Sequence, residues 1–134
     1  MTITDITIVP VPVGRKDDYI AFSRRMAEVY RDHGAVRITD YWQVADAGGQ
    51  EDFHADGLVY GEGELPDFAD VIGAAASEAI VVTLTEWPSR EARDRGAAAA
   101  TSDPRVLATL EEDPVFDGSR VIASSFEIAM SLRR

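Results

Sequence analysis

One stretch, EAIVVTLTEWPSREARD at residues 78–94, restricts the fold more than any other. Ile80, Val82 and Leu84 fall on one parity, and Val81, Thr83, Thr85 and Trp87 on the other, so both faces of a strand here are largely apolar. Such a strand belongs at the centre of a sheet, covered on both sides. Pro88 ends it, and Ser89 is placed to cap a following helix, with Glu91 near the positive helix end. That helix continues through Gly96 and Ala97 to Ala100, small residues that let it lie close on the sheet.

The rest of the chain supplies partners for this unit. Ile3 to Val11 alternates as a first strand, and Pro10 and Pro12 are expected to stop its ladder. Residues 15–33 place Tyr19, Phe22, Met26 and Tyr30 at steps of three and four, an amphipathic helix with Asp17 or Asp18 as its cap and Gly34 as its left-handed stop. From Ala35 to Val44 the period becomes two, with Val36, Ile38, Asp40, Trp42 and Val44 on one face and Arg37, Thr39, Tyr41 and Gln43 on the other. Residues 45–66 are rich in glycine and acid, and Leu58 to Tyr60 reads as a short strand within them. Phe68, Val71 and Ile72 then mark a short helix over 67–76. Val106, Leu107 and Leu110 form a helical turn after Asp103 and Pro104, and Val121 to Met130 is the last strand.

Composition narrows the function. The chain has 134 residues, 46% of them hydrophobic, enough for a single domain over 1–134 that buries roughly two thirds of its unfolded surface. It has no cysteine, which excludes disulfides and thiolate chemistry and fits a reducing cytoplasm. The first residues lack the basic start and apolar run of a signal peptide, and nothing approaches a membrane span. Thirteen Lys and Arg against 24 Asp and Glu give a formal charge of -11, a field that repels nucleic acid and anionic membranes.

The order strand, helix, strand, inserted acidic loop with short helix at about 45–76, strand, helix, strand predicts an α+β fold. Its form is the ferredoxin-like βαββαβ sandwich with an antiparallel sheet, helices on one face only. Asp40 and Glu86 are expected on the helix-facing side, and Tyr41, Val81, Trp87 and Val121 on the other. Those four are apolar enough to predict a homodimer formed sheet to sheet.

VPVP at 9–12, HGA at 33–35, DF at 67–68, WPSREARD at 87–94, DPR at 103–105 and FDGSRVIASSFE at 116–127 occur in an order that resembles the YbaA-like family of small bacterial proteins of unknown function. The resemblance runs from about Ile6 to Glu127. It implies a dimeric α/β barrel of ferredoxin-like halves and brings no established activity or cofactor.

Several residues have chemistry to offer. His33 suits a helix C-cap, where a cation is favoured, and is also the candidate for proton transfer. Asp40 and Glu86 gain proton affinity if their face is dry and then serve as bases. Trp42, Tyr41 and Phe22 suit a pocket for a small apolar or aromatic ligand, Trp87 being a further candidate, against the plainer reading as packing anchors. Glu51, Asp52, His54 and Asp56 match no metal-binding spacing. Arg105 and Arg120 read as partners of nearby acids rather than as an anion site. The expectation is a small-molecule-binding protein with a cavity between sheet and helices, the alternative being an interaction module that works through the acidic loop at 45–66.

Overall fold

Alternating residues from Ile3 onward build β1 (Ile3–Pro12), and a single 3-10 turn at Val13–Arg15 leads into α1 (Lys16–Asp32). The molecule is seen in a computed structural model that describes residues 1–45, 54–55, 58–59 and 66–134. After α1 come β2 (Arg37–Trp42), the two-residue strands β3 (His54–Ala55) and β4 (Leu58–Val59), and α2 (Phe68–Ile72). The chain continues with β5 (Glu78–Trp87), α3 (Arg90–Thr101), α4 (Pro104–Leu107) and β6 (Ile122–Glu127).

Four strands form one antiparallel sheet in the order β2-β5-β1-β6, which is the ferredoxin-like arrangement. The stretch at 78–94 does supply a central strand and a capped helix: the Ser89 hydroxyl accepts from the Ala92 N–H at 3.1 Å. Gly34 closes α1 with φ of 112°, a left-handed conformation that costs glycine little. Asp17 and Asp18 lie inside the first turn of α1 rather than capping it, because the 3-10 turn delivers the chain with Arg15 at the cap position.

β1 runs through both prolines instead of stopping at them. Ile80, the partner of Pro10, turns both backbone groups to the β2 side: its N–H donates to Gln43 Oε1 at 3.0 Å and its C=O accepts from the Gln43 N–H at 2.9 Å. The Pro10 nitrogen therefore points away from β5, toward the flank that β6 leaves free by starting opposite Ile8. No ladder hydrogen bond is lost.

Register also settles which way each strand faces, and here the expectation for β5 is reversed. Asp40 pairs with Thr83 and Trp42 with Val81, so Val81, Thr83, Thr85 and Trp87 share the helix-covered face. Ile80, Val82, Leu84 and Glu86 point the other way, with Glu86 opposite Arg37. Both parities of β5 are apolar, so alternation alone could not choose between them; pairing with β2 does.

The core has two centres on the covered face. Val9, Val11, Tyr19 and Val81 are buried together, with Trp42, Val115 and Phe116 packed against them. Trp87, 0% exposed, fills the other end against the Tyr30 ring, at 6.3 Å between centroids and 61°. Gly96 of α3 makes that packing possible, since a Cβ there would sit 2.3 Å from Trp87 Cζ3 and 2.4 Å from the His33 carbonyl oxygen. Among the described residues no helix is long and apolar enough to cross a membrane.

Candidate functional site

Between sheet and helices lies a cavity of about 450 Å³. Its roof is one stripe of α1, namely Tyr19, Phe22, Ser23, Met26, Ala27 and Tyr30, residues at helical spacing that all face the sheet. Arg93, Ala97 and Thr101, spaced by four along α3, form the second wall, and Phe116 closes one end. The alanine at 97 leaves open the space that a larger side chain would occupy, while Gly96 and Ala100 on the neighbouring stripe are buried.

The floor is unexpectedly polar for a covered sheet face. Asp5 and Thr7 of β1, Ile38 of β2, and Thr83 and Thr85 of β5 face the cavity. Asp5 is the hub of one end: it accepts from Trp87 Nε1 at 3.2 Å, Arg93 Nε at 3.1 Å and the Ser125 hydroxyl. At the sheet edge Asp40 accepts from the hydroxyls of Ser23 and Thr83, both of which line the cavity. A buried polar group without such partners would cost about 1–3 kcal/mol, and no described side chain is left in that condition.

Burial pushes the Tyr19 phenol up, with the Asp40 charge adding to it; burial and the Asp5 carboxylate do the same to Tyr30, against the opposing pull of Arg93. Both tyrosines stay protonated at neutral pH and can donate hydrogen bonds. The cavity thus offers an aromatic and aliphatic roof above a floor of hydroxyls and one carboxylate–guanidinium pair.

The residues singled out from the sequence are scattered by the fold. Phe22 lines the cavity. Trp42 lies next to it on the same face, tilted against Tyr19 at 6.3 Å with Lys16 Nζ 5.3 Å from its ring centre. Asp40 faces the helices as expected, yet it is exposed at the edge strand rather than dry. Tyr41 is on the uncovered face, 52% exposed. Glu86 is also there, 3.7 Å from Arg37, so the sheet separates it from the cavity. Trp87 is buried under the helices and is not part of the uncovered face; the reversed register of β5 accounts for both.

His33 caps α1, its N–H donating to the Val29 and Tyr30 carbonyls, and its Nε2 lies 2.9 Å from Asp103 Oδ2. Asp103 also caps α4 and is gripped by Arg105, which reaches on to Asp32 at 2.8 Å. Arg105 and His33 together hold the Asp103 carboxyl well below the usual carboxylate range. This cluster ties the ends of α1, α3 and α4 together and does not line the cavity. Arg120 is likewise a structural pair, bonded to Glu78 at 2.7 Å and to the Gly73 carbonyl. The side chains of Glu51, Asp52, His54 and Asp56, and almost all of the acidic loop at 45–66, lie outside the described residues.

Sequence reasoning missed Asp5, Thr7, Thr83, Thr85 and Arg93. A signal was present: Asp5 and Thr7 share parity with Val9 and Val11 in β1, as Thr83 and Thr85 do with Val81 and Trp87 in β5. Polar residues confined to one half of an otherwise apolar face mark where a covered sheet stops being solid core.

A family profile described as "Protein of unknown function (DUF1428)" matches residues 2–118. The chain is 32% identical over 127 residues to the uncharacterized protein YbaA of Escherichia coli K12, covering 95% of this chain and 96% of YbaA. Among solved structures it resembles a dimeric ferredoxin-like protein from an uncultured marine organism, with a TM-score of 0.55 at 10% identity over 98% of both chains. It also resembles a mutant of SnoaB, a cofactor-independent oxygenase from Streptomyces nogalater, with a TM-score of 0.51 at 14% identity over 99% of this chain and 98% of that one. At these identities the likeness shows the ferredoxin-like fold.

Proposed function

The chain belongs to the DUF1428 family, and from that premise we propose that it is a cytoplasmic homodimer whose sheet–helix cavity binds a small, largely apolar or aromatic molecule. The observation that carries this reading is the cavity itself. A space of about 450 Å³ under Tyr19, Phe22, Met26 and Tyr30 falls in the range of small-molecule sites. Asp5, Thr7, Thr83 and Thr85 on the floor and Arg93 on the adjoining wall give it polar groups that can bond the edge of a flat ligand held under the aromatic roof. Phe22 is the ligand-facing residue carried over from the sequence, and Trp42 and Asp40 support the site through Tyr19 and through Ser23 and Thr83.

The homodimer is supported by the opposite face. Ile6, Ile8, Val82 and Leu84 form a part-exposed aliphatic patch in the middle of the sheet with no helix of the described residues over it, flanked by Tyr41, Ile122 and Phe126, each about half exposed. A second copy turned face to face covers this patch on both subunits at once. The Arg37–Glu86 pair at its margin gives each copy both signs of charge for the contact.

Thermal unfolding with a panel of planar probes, 2-naphthol, free flavin and haem among them, tests the cavity. A ligand bound only to the native state raises Tm. At least one probe raises Tm of the wild type, and Ala97→Phe, which fills the cavity, abolishes that rise while remaining folded. Equal shifts in both proteins, or none with any probe, contradict the reading.

A further inference from the structure

The Asp5 end of the cavity holds four hydrogen-bond donors that have no acceptor among the described residues. The sheet sets two of them: Thr85 pairs with Asp5, and Thr7 lies two residues further along the same face of β1, roughly 7 Å away. The Tyr30 phenol comes from α1, its ring fixed by the edge contact with Trp87, close enough to feel the charges of both Asp5 and Arg93. The fourth is Arg93 Nη2, because Nε is spent on Asp5 at 3.1 Å and Nη1 on Asp94 at 3.1 Å. All four residues are half-buried, and no described polar side-chain atom without a partner is sealed from solvent, so a ligand can reach these donors.

The strong acceptor at this end is already taken. Asp5 accepts from Trp87 Nε1, Arg93 Nε and the Ser125 hydroxyl, which uses most of what a carboxylate can accept. A wholly apolar ligand filling this end would shut out solvent and strand the donors, which is costly. An anion fares little better, because the charge of Arg93 is shared between Asp5 and Asp94, and a further carboxylate would face Asp5 with its nearest cation doubly matched. An uncharged acceptor avoids both penalties.

Resting on the ligand-binding reading above, we infer that this end of the cavity selects its ligand by an uncharged carbonyl oxygen. Tyr30, Thr85 and Arg93 supply the donors, and the ligand is an aryl ketone or a similar neutral carbonyl compound rather than a hydrocarbon or a carboxylate.

Three naphthalenes of similar shape and different edge test this: 2-acetylnaphthalene, 2-ethylnaphthalene and 2-naphthoate, each measured against the full chain by equilibrium dialysis. 2-Acetylnaphthalene binds about tenfold or more tighter than either of the others, as expected where a site's donors go unpaired with the wrong ligand. Tyr30→Phe keeps the ring against Trp87, and Thr85→Val keeps the shape of the side chain. Each weakens 2-acetylnaphthalene about three- to tenfold and leaves 2-ethylnaphthalene no weaker. Equal binding of the three, tightest binding of 2-naphthoate, or variants that weaken the acetyl and ethyl compounds alike overturns carbonyl selection and leaves the cavity standing as a binding site. Absence of binding by all three overturns it too, and the cavity reading falls with it only if the wider probe panel also leaves Tm unchanged.

Discussion

The two faces of the sheet differ in the opposite sense from a lone two-layer domain. Beside its core of Val9, Val11, Val81 and Trp87, the face under the helices carries Asp5, Thr7, Asp40, Thr83 and Thr85, whereas the face with no helix of the described residues over it carries Ile6, Ile8, Val82 and Leu84. Polar groups placed under cover need partners, and they have them: Trp87, Arg93 and Ser125 serve Asp5, and Ser23 and Thr83 serve Asp40. Aliphatic groups placed outside need cover: Pro10 and Ile80 at one end of that face are buried, while Ile6, Ile8, Val82 and Leu84 are left part-exposed among the described residues. The contrast reads as a division of labour, with a lined cavity on one side and a contact surface on the other.

Replacing Trp87 with alanine probes the covered face at its most tightly packed point. It removes the largest fully buried side chain and one of the three donors to the Asp5 carboxylate, so urea unfolding should show a loss of about 3–5 kcal/mol. A loss under about 1 kcal/mol would mean that this end of the sheet is loosely filled and would erase the distinction between core and cavity. Gly96→Ala tests the same packing from the helix side. The added methyl meets an indole and a carbonyl, and about 1–3 kcal/mol is lost in the same assay, against the small gain in helix propensity that alanine ordinarily brings.

A smaller effect separates the helix ends from both faces. Asp103 has its carboxyl held below the ordinary range, so its ion pairs contribute fully above its unfolded value of 3.8 and are lost as pH falls through the lower folded value. Stability measured by thermal unfolding therefore declines below about pH 4, and Asp103→Asn flattens that part of the curve. An identical acid limb in the variant would remove Asp103 from the account. Smallest of all is Glu86→Gln. Its pairing with Arg37 is long and its partner exposed, so stability should change by less than about 0.5 kcal/mol and ligand-induced Tm shifts not at all. Loss of ligand response in that variant would put Glu86 back into a site from which the register excludes it.

How legible this was in the sequence depended on the kind of signal. Elements with a period and a stop, such as α1 with Gly34 and α3 with Ser89, could be read residue by residue. The ferredoxin-like order followed from them and from the family motifs. Facing was not legible for β5, because Val81, Thr83, Thr85 and Trp87 are about as apolar as Ile80, Val82 and Leu84, and only pairing with β2 tells them apart. The error carried Glu86 into the candidate site and Trp87 out of the core. Likewise, His33 could be recognised as a cap, but its bond to Asp103, 70 positions away, depends on how α1 and α4 dock. The two prolines of β1 show the same limit: they are strand-breakers by local rule, and only the short reach of β6 makes them harmless.

Sedimentation equilibrium of the wild type beside Leu84→Asp tests the central claim, that the aliphatic patch outside belongs to an interface and the polar half of the covered face to a cavity. The account predicts a wild-type species of twice 14.6 kDa at micromolar concentration and a folded 14.6 kDa monomer for Leu84→Asp, which puts a charge in the middle of that face. A wild type that sediments at 14.6 kDa up to the highest soluble concentration, or a variant that remains dimeric, would contradict it.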